Sequence, residues 1–188
     1  NQSEGTIKAI ATINEIEYDK ELFEINYDHI PKQSVLLTSE AKVVRLNIKK
    51  EGELIGYIQG SGDAIPESLR QIGYKVEEIK ITDINEDILK QFDAVVIGIR
   101  AYNTKAELQF KQKYLLDYVK NGGNMIVQYN TNKKVDIKAP FEIELSRDRV
   151  TDENSKVTLL AKEHSLLNYP NKISDKDFEG WVQERGLY

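Results

Sequence analysis

The chain contains no cysteine, so a disulfide framework, a thiolate metal site and a cysteine nucleophile are all excluded. Histidine is almost as scarce. His29 and His164 lie in different parts of the chain, and neither has the spacing that sets two ligands on one helix face. Each reads as a hydrogen-bonded structural residue. No apolar run approaches membrane-spanning length. There is no basic excess either: 26 Lys and Arg are spread among 31 Asp and Glu, for a net charge of -5. Neither nucleic acid nor an anionic membrane surface finds a patch to bind. Internal repeats and low-complexity segments are also missing.

What remains is a chain of 188 residues, 40% apolar, enough for one medium domain or a domain with a smaller piece attached. The chain starts at Asn1 without a methionine and stops at Gly186-Leu187-Tyr188 with apolar residues still coming. Both ends read as cuts, with any signal peptide or catalytic domain expected outside.

The texture changes near residue 50. Before it, alternating runs at residues 6–10, 22–27 and 41–48 indicate antiparallel or edge strands, interrupted around Pro31. Residues 1–50 are therefore expected to be the β-rich tail of a preceding module and its linker. Residues 51–188 form the α/β domain. There residues 54–58 read as a strand, Gly60-Ser61-Gly62 as its loop, and Ile65, Leu69 and Ile72 as one helix face ending at Gly73. Residues 76–81 alternate like an outer strand, and Asp83 with Glu86 resembles a capping box. Residues 93–99 form a short, unbroken, β-branched run, the signature of a strand buried on both faces.

After it, Thr104 and Glu107 are spaced as a capping box for a helix through Leu108, Leu115 and Val119 that stops at Gly122-Gly123. Another buried strand is expected over residues 124–130. Strands alternating with helices at this spacing imply a doubly wound, mainly parallel α/β sheet. Beyond Thr131 the pattern weakens. Residues 157–161 are one further candidate strand, and Ser174 with Asp177 a candidate helix start.

In an open parallel sheet, ligands bind beyond the carboxyl ends of the strands. Gln59 and Asp63 follow the first central strand, Arg100, Tyr102 and Asn103 the second, and Gln128 and Asn130 the third, so these residues form the candidate ligand site. Arg100 offers a fork of donors, the amides offer paired donors and acceptors, and Tyr102 offers a ring face. Such a set suits a sugar without implying catalysis. The competing account pairs Arg100 with Asp63 or Glu184 merely to fasten loops. Trp181, near Asp177 and Glu179, is either a stacking platform or part of the core, and Glu184 is a further candidate ligand residue. Gly60-Ser61-Gly62 lacks the third glycine of a dinucleotide loop, Ile65 standing in its place, and Asp63 would repel a phosphate; a tight turn with Asp63 as cap explains it equally. No catalytic residue, cofactor or metal ligand is assigned.

The stretches Gly56-Tyr57-Ile58-Gln59-Gly60-Ser61-Gly62-Asp63, Arg100-Ala101-Tyr102-Asn103-Thr104, Gln128-Tyr129-Asn130-Thr131 and residues 177–188 resemble the C-terminal region of large bacterial LmbE/PIG-L family proteins. That resemblance implies a flavodoxin-like domain, similar to class I glutamine amidotransferases and ThuA-like proteins. It also implies a parent protein acting as a metal-dependent N-acetylglucosaminyl deacetylase, with its His-Pro-Asp-Asp site on another domain. None of that motif occurs here. The implied role is a non-catalytic accessory domain, exported to the periplasm or beyond as the lack of cysteine also fits. Its implied partners are the other domains of the parent chain and an amino-sugar or glycan. The alternative is a hydrolase in its own right, using carboxylates at the strand ends. At the turn where amidotransferases carry a cysteine stands Gln128-Tyr129-Asn130-Thr131, without a nucleophile.

Overall fold

The computed structural model describes residues 3–131, 139–143 and 150–182. The chain divides into two compact units, Asn1–Ile48 and Lys49–Tyr188.

The first unit is a β ribbon with a side hairpin. Strands β1 (Ser3–Lys8), β2 (Ala11–Ile13), β3 (Ile16–Tyr18), β4 (Lys20–Ile25), β5 (Gln33–Thr38) and β6 (Glu40–Arg45) pair antiparallel as β1 with β6, β2 with β3 and β4 with β5. The β2–β3 turn places Asn14 and Glu15 at φ of 50° and 63°, as a tight hairpin turn demands. Ser39 joins β5 to β6 without breaking the ladder. Its amide donates to the Asp19 carbonyl and its carbonyl accepts from Ala9, each at 2.9 Å. Its hydroxyl lies 2.7 Å from the Ala9 carbonyl and 2.9 Å from that of Asp19. A Lys8–Asp19 ion pair at 2.5 Å closes the junction. Residues 33–45 thus act as one long strand facing β1 and β4 end to end, with the β2–β3 hairpin branching between them. Three of these six strands, β2, β3 and β5, have no counterpart in the runs read from sequence. β2 and β3 are only three residues long, and β5 carries three apolar residues in succession, so none of them alternates clearly.

The second unit is a four-stranded parallel sheet. Its strands are β7 (Leu54–Ile58), β8 (Lys75–Glu78), β9 (Ala94–Ile97) and β10 (Asn124–Val127), in the order β8-β7-β9-β10. The three apolar runs expected as neighbouring parallel strands are β7, β9 and β10. Alternation then sorts their side chains onto two faces. Ile55, Tyr57 and Val96 pack with Leu69 of α1 (Ile65–Gln71). Ile58, Val95 and Ile97 pack on the other face with Leu89 of α2 (Glu86–Leu89) and Leu115 and Tyr118 of α4 (Gln112–Lys120). The mixed α/β class with a parallel sheet is therefore present.

Several local expectations are corrected. Thr104 is not a helix cap: it ends α3 (Ala101–Thr104), and its hydroxyl donates back to the Arg100 carbonyl at 3.0 Å. The chain turns helical directly after β9, passes through a 3-10 segment Ala106–Lys111, and only then enters α4. The cap of α2 is Asn85, whose side chain accepts from the Ile88 amide at 3.0 Å, rather than Asp83. Residues 157–161 form no strand. Among the described residues β10 is a half-exposed edge strand instead of a buried one, with Ile126 57% exposed. Ser174 and Asp177 do form a capping box, at the head of the 3-10 turn Asp175–Phe178. Farther back, Asn171 holds both the amide and the carbonyl of Lys49, securing this C-terminal stretch to the entry of β7.

Gly60 and Gly98 let the loops after β7 and β9 touch. A Cβ on Gly60 would stand 2.0 Å from the Ile99 carbonyl oxygen, and one on Gly98 2.5 Å from the Tyr57 hydroxyl. Gly60→Ala is expected to cost about 2–3 kcal/mol as an overpacked site with backbone on the opposing side, measured by urea denaturation of the full chain.

Candidate functional site

The loops after β7, β9 and β10 continue to pair past the strand ends. Gly98 donates to Ile58 O at 2.8 Å, Ser61 to Ile99 O at 2.8 Å, Gln128 to Ile97 O at 3.0 Å and Arg100 to Tyr129 O at 2.7 Å. The Ser61 amide is therefore taken by the protein. With α1 only seven residues long, Gly60-Ser61-Gly62 is a tight turn and not a phosphate cradle. Arg100 sits in the left-handed region at φ 57°, an uncommon conformation for a residue with a side chain, because the chain must turn there at once from β9 into α3.

Asp63 is the hub of this edge. Its Oδ2 accepts from the Tyr57 hydroxyl at 2.6 Å and more weakly from the Ile99 amide at 3.3 Å and Gln128 Nε2 at 3.4 Å; its Oδ1 accepts from the Ile65 amide at 2.9 Å. Burial is the largest single influence on the carboxyl and opposes its charge. The bonds from Tyr57, Ile65, Ile99 and Gln128 together outweigh it and hold Asp63 below the usual carboxylate range. Tyr57 is pushed up, first by burial and then by its bond to Asp63. Held ionised by these donors, Asp63 is not placed to act as a general acid.

The other expected site residues divide by where their polar atoms are spent. Asn103 clamps Thr131, accepting from its amide at 2.9 Å and donating to its carbonyl at 3.2 Å. The Tyr102 hydroxyl donates to Gln112 Oε1 at 2.6 Å, and burial pushes that phenol up to about 12 against the opposing effect of the Gln112 bond. Asn130 is only 6% exposed; its Nδ2 donates to Gln128 O at 2.8 Å, while its buried Oδ1 meets no donor among the described residues. Arg100 is not among the described partners of Asp63, and the other partner expected for it, Glu184, lies outside the described residues. Trp181 is 57% exposed and meets Phe178 edge to face at 6.1 Å, so it is neither core nor joined by a described contact to the strand ends. Glu184 lies outside the described residues.

Beside Asp63 opens a cleft of about 260 Å³ lined by Tyr57, Gln59, Asp63, Pro66, Glu67, Arg70, Val76 and Glu78. Arg70 is fixed there by Glu67 at 2.9 Å and the Val76 carbonyl at 3.1 Å. Tyr57, Arg70 and Glu78 are not among the site residues expected from sequence. They belong to a strand, a helix and an outer strand, and only the βα crossover brings them to one cleft.

Among the described residues no group of three or more His, Asp or Glu side chains converges to hold a metal ion. The expectation of a metal-dependent hydrolase is withdrawn on that finding. His164 is structural, its Nδ1 accepting from the Leu166 amide at 3.2 Å. The chain matches no protein-family model, no curated protein and no solved structure.

Asp63→Asn is expected to destabilise the protein by about 1.5–3 kcal/mol at neutral pH, the range for a hydrogen-bonded charge. Because the folded carboxyl titrates below its ordinary value of 3.8, this stabilisation is present above that pH and is lost as the pH falls through the lower folded value. Denaturation of both proteins from pH 7 to 2 should show the gap between them closing only below about pH 4.

Proposed function

We propose that residues 49–188 are a non-catalytic accessory domain of the flavodoxin-like, doubly wound kind, carrying a small carbohydrate-binding cleft at the carboxyl edge of its sheet. Three arguments support the fold reading: the 2-1-3-4 order of β7 to β10, the packing of helices against both faces, and the reversal of strand order at β7. The sequence resemblance to the C-terminal region of LmbE/PIG-L family proteins points the same way.

The observation that carries the functional reading is the cleft beside Asp63. Gln59 and Glu78 offer polar groups with no described hydrogen bond, Arg70 offers a fixed donor, and Pro66 and Val76 supply apolar surface. A sugar ring needs such a mixture, since it presents hydroxyls around an apolar face. At about 260 Å³ the cleft falls just below the ~300–1,000 Å³ of ordinary small-molecule sites, so it suits one ring and not an extended glycan. The second reading, a purely structural scaffold, is favoured by Asn103, Tyr102 and Asp63, whose polar atoms are spent on the protein itself.

Calorimetry of the full chain against glucosamine and N-acetylglucosamine distinguishes the two. Binding near 1 mM is expected, weakened about tenfold, or 1.4 kcal/mol, by Gln59→Ala with unchanged stability. No heat from the wild type at tens of millimolar sugar, on the order of ten times that constant, would leave only the scaffold.

A further inference from the structure

The β ribbon of the first unit has no core of its own. Among residues 3–48 none is buried, and only Asp19, Ile25 and Ser39 are half-buried. A two-stranded ribbon is at best marginally stable unless an apolar face is covered. The ribbon has such a face. Directly opposed residues of antiparallel strands share a face, and the register pairs Ile7 with Ala41, Gly5 with Val43, Phe23 with Val35 and Glu21 with Leu37. All lie on one side, because Ser39 carries the ladder through the junction in phase. The opposite side mixes Glu4, Lys42, Lys8, Glu40, Lys20 and Glu24 with Val44, Leu22 and Leu36, and is the more charged of the two. Yet on the apolar side Ile7 is 64%, Phe23 51% and Leu37 47% exposed.

We propose that this face is where two copies of the chain meet, ribbon on ribbon, about a two-fold axis level with Ser39. The axis lies between the ribbons and runs across the strands. It sets the half of one ribbon that carries β4 and β5 over the half of the other that carries β1 and β6. Phe23 then lies over Gly5 of the second copy and Leu37 over Ala41, so large side chains meet small ones, and Val35 lies over Val43. No like charges are opposed: Arg45 lies over Gln33, and Glu21 over Ile7. The space at Gly5 is open, since a Cβ there meets nothing within 4 Å in the single chain. At roughly 100 Å² exposed per large apolar side chain, the face presents on the order of 500 Å² per copy, and a pair buries about 1,000 Å², the threshold of a specific association.

The test is the oligomeric state of the full chain by sedimentation between about 1 and 200 μM, a range bracketing micromolar association. Wild type is expected to dimerise within it, and Phe23→Lys to remain monomeric. Because that change also bears on folding of the ribbon, Gly5→Phe is the sharper variant. It fits the single chain but collides with Phe23 of the second copy, so it should raise the dissociation constant at least about tenfold with an unchanged circular dichroism spectrum. The chain has no native cysteine, so mixed Gly5→Cys and Phe23→Cys proteins should cross-link to each other far faster than either alone. A wild type that stays monomeric would overturn the proposal and leave the face to a different polypeptide. So would a Gly5→Phe protein that pairs as tightly as wild type, or cross-linking no faster in the mixture than in either protein alone.

Discussion

The carboxylate of Asp63 ties together segments that only meet when the sheet has formed. Tyr57 comes from β7, Ile65 from the first turn of α1, Ile99 from the end of β9 and Gln128 from the end of β10. Burying a charge is costly unless hydrogen bonds replace its water, and here four donors do so. The close approach of Gly60 to Ile99 and of Gly98 to Tyr57 is the steric side of the same constraint. Larger residues would hold the loops apart and leave Asp63 short of its donors.

At the opposite end of the sheet, Asp93 plays a comparable part. It stands just before β9 and accepts from the amides of Glu53 at 2.7 Å and Leu54 at 2.9 Å, which first of all hold its carboxyl below the usual range. Its carbonyl accepts from the Asn124 side chain, so it reaches β10 as well. One aspartate thus registers the beginnings of the strands and another their ends. Between them the apolar faces are free to be packed by size alone, as with Tyr118, which lies against Gly123 and still sends its hydroxyl to the Phe92 carbonyl at 2.9 Å.

The two units depend on different physics. In the second, helices cover both faces of the sheet, and residues such as Ile58, Val95, Ile97 and Leu115 are wholly withdrawn from water. In the first, backbone pairing and the Ser39 junction organise the chain, while the hydrophobic effect has little to act on within the unit. Register gathers most of its apolar side chains on one face, an order that contributes to stability once something lies against them.

The sequence by itself determined the parallel strands at β7, β9 and β10, because short β-branched runs between helical patterns have few other solutions. It also placed Gln59, Asp63, Arg100, Asn103 and Gln128 at one edge, since that follows from strand direction alone. It could not show how their polar atoms would be spent. Whether Asp63 pairs with Arg100 or with Tyr57 depends on a distance set by the glycine contact between two loops, and no period or motif encodes it. Thr104 and Asn85 illustrate the same limit locally: capping boxes are spacing rules, but the start of each helix was decided by where the preceding segment had to turn to remain packed. Tertiary structure likewise made β10 an edge strand, because burial on a second flank requires a neighbour that a strand's own residues cannot supply.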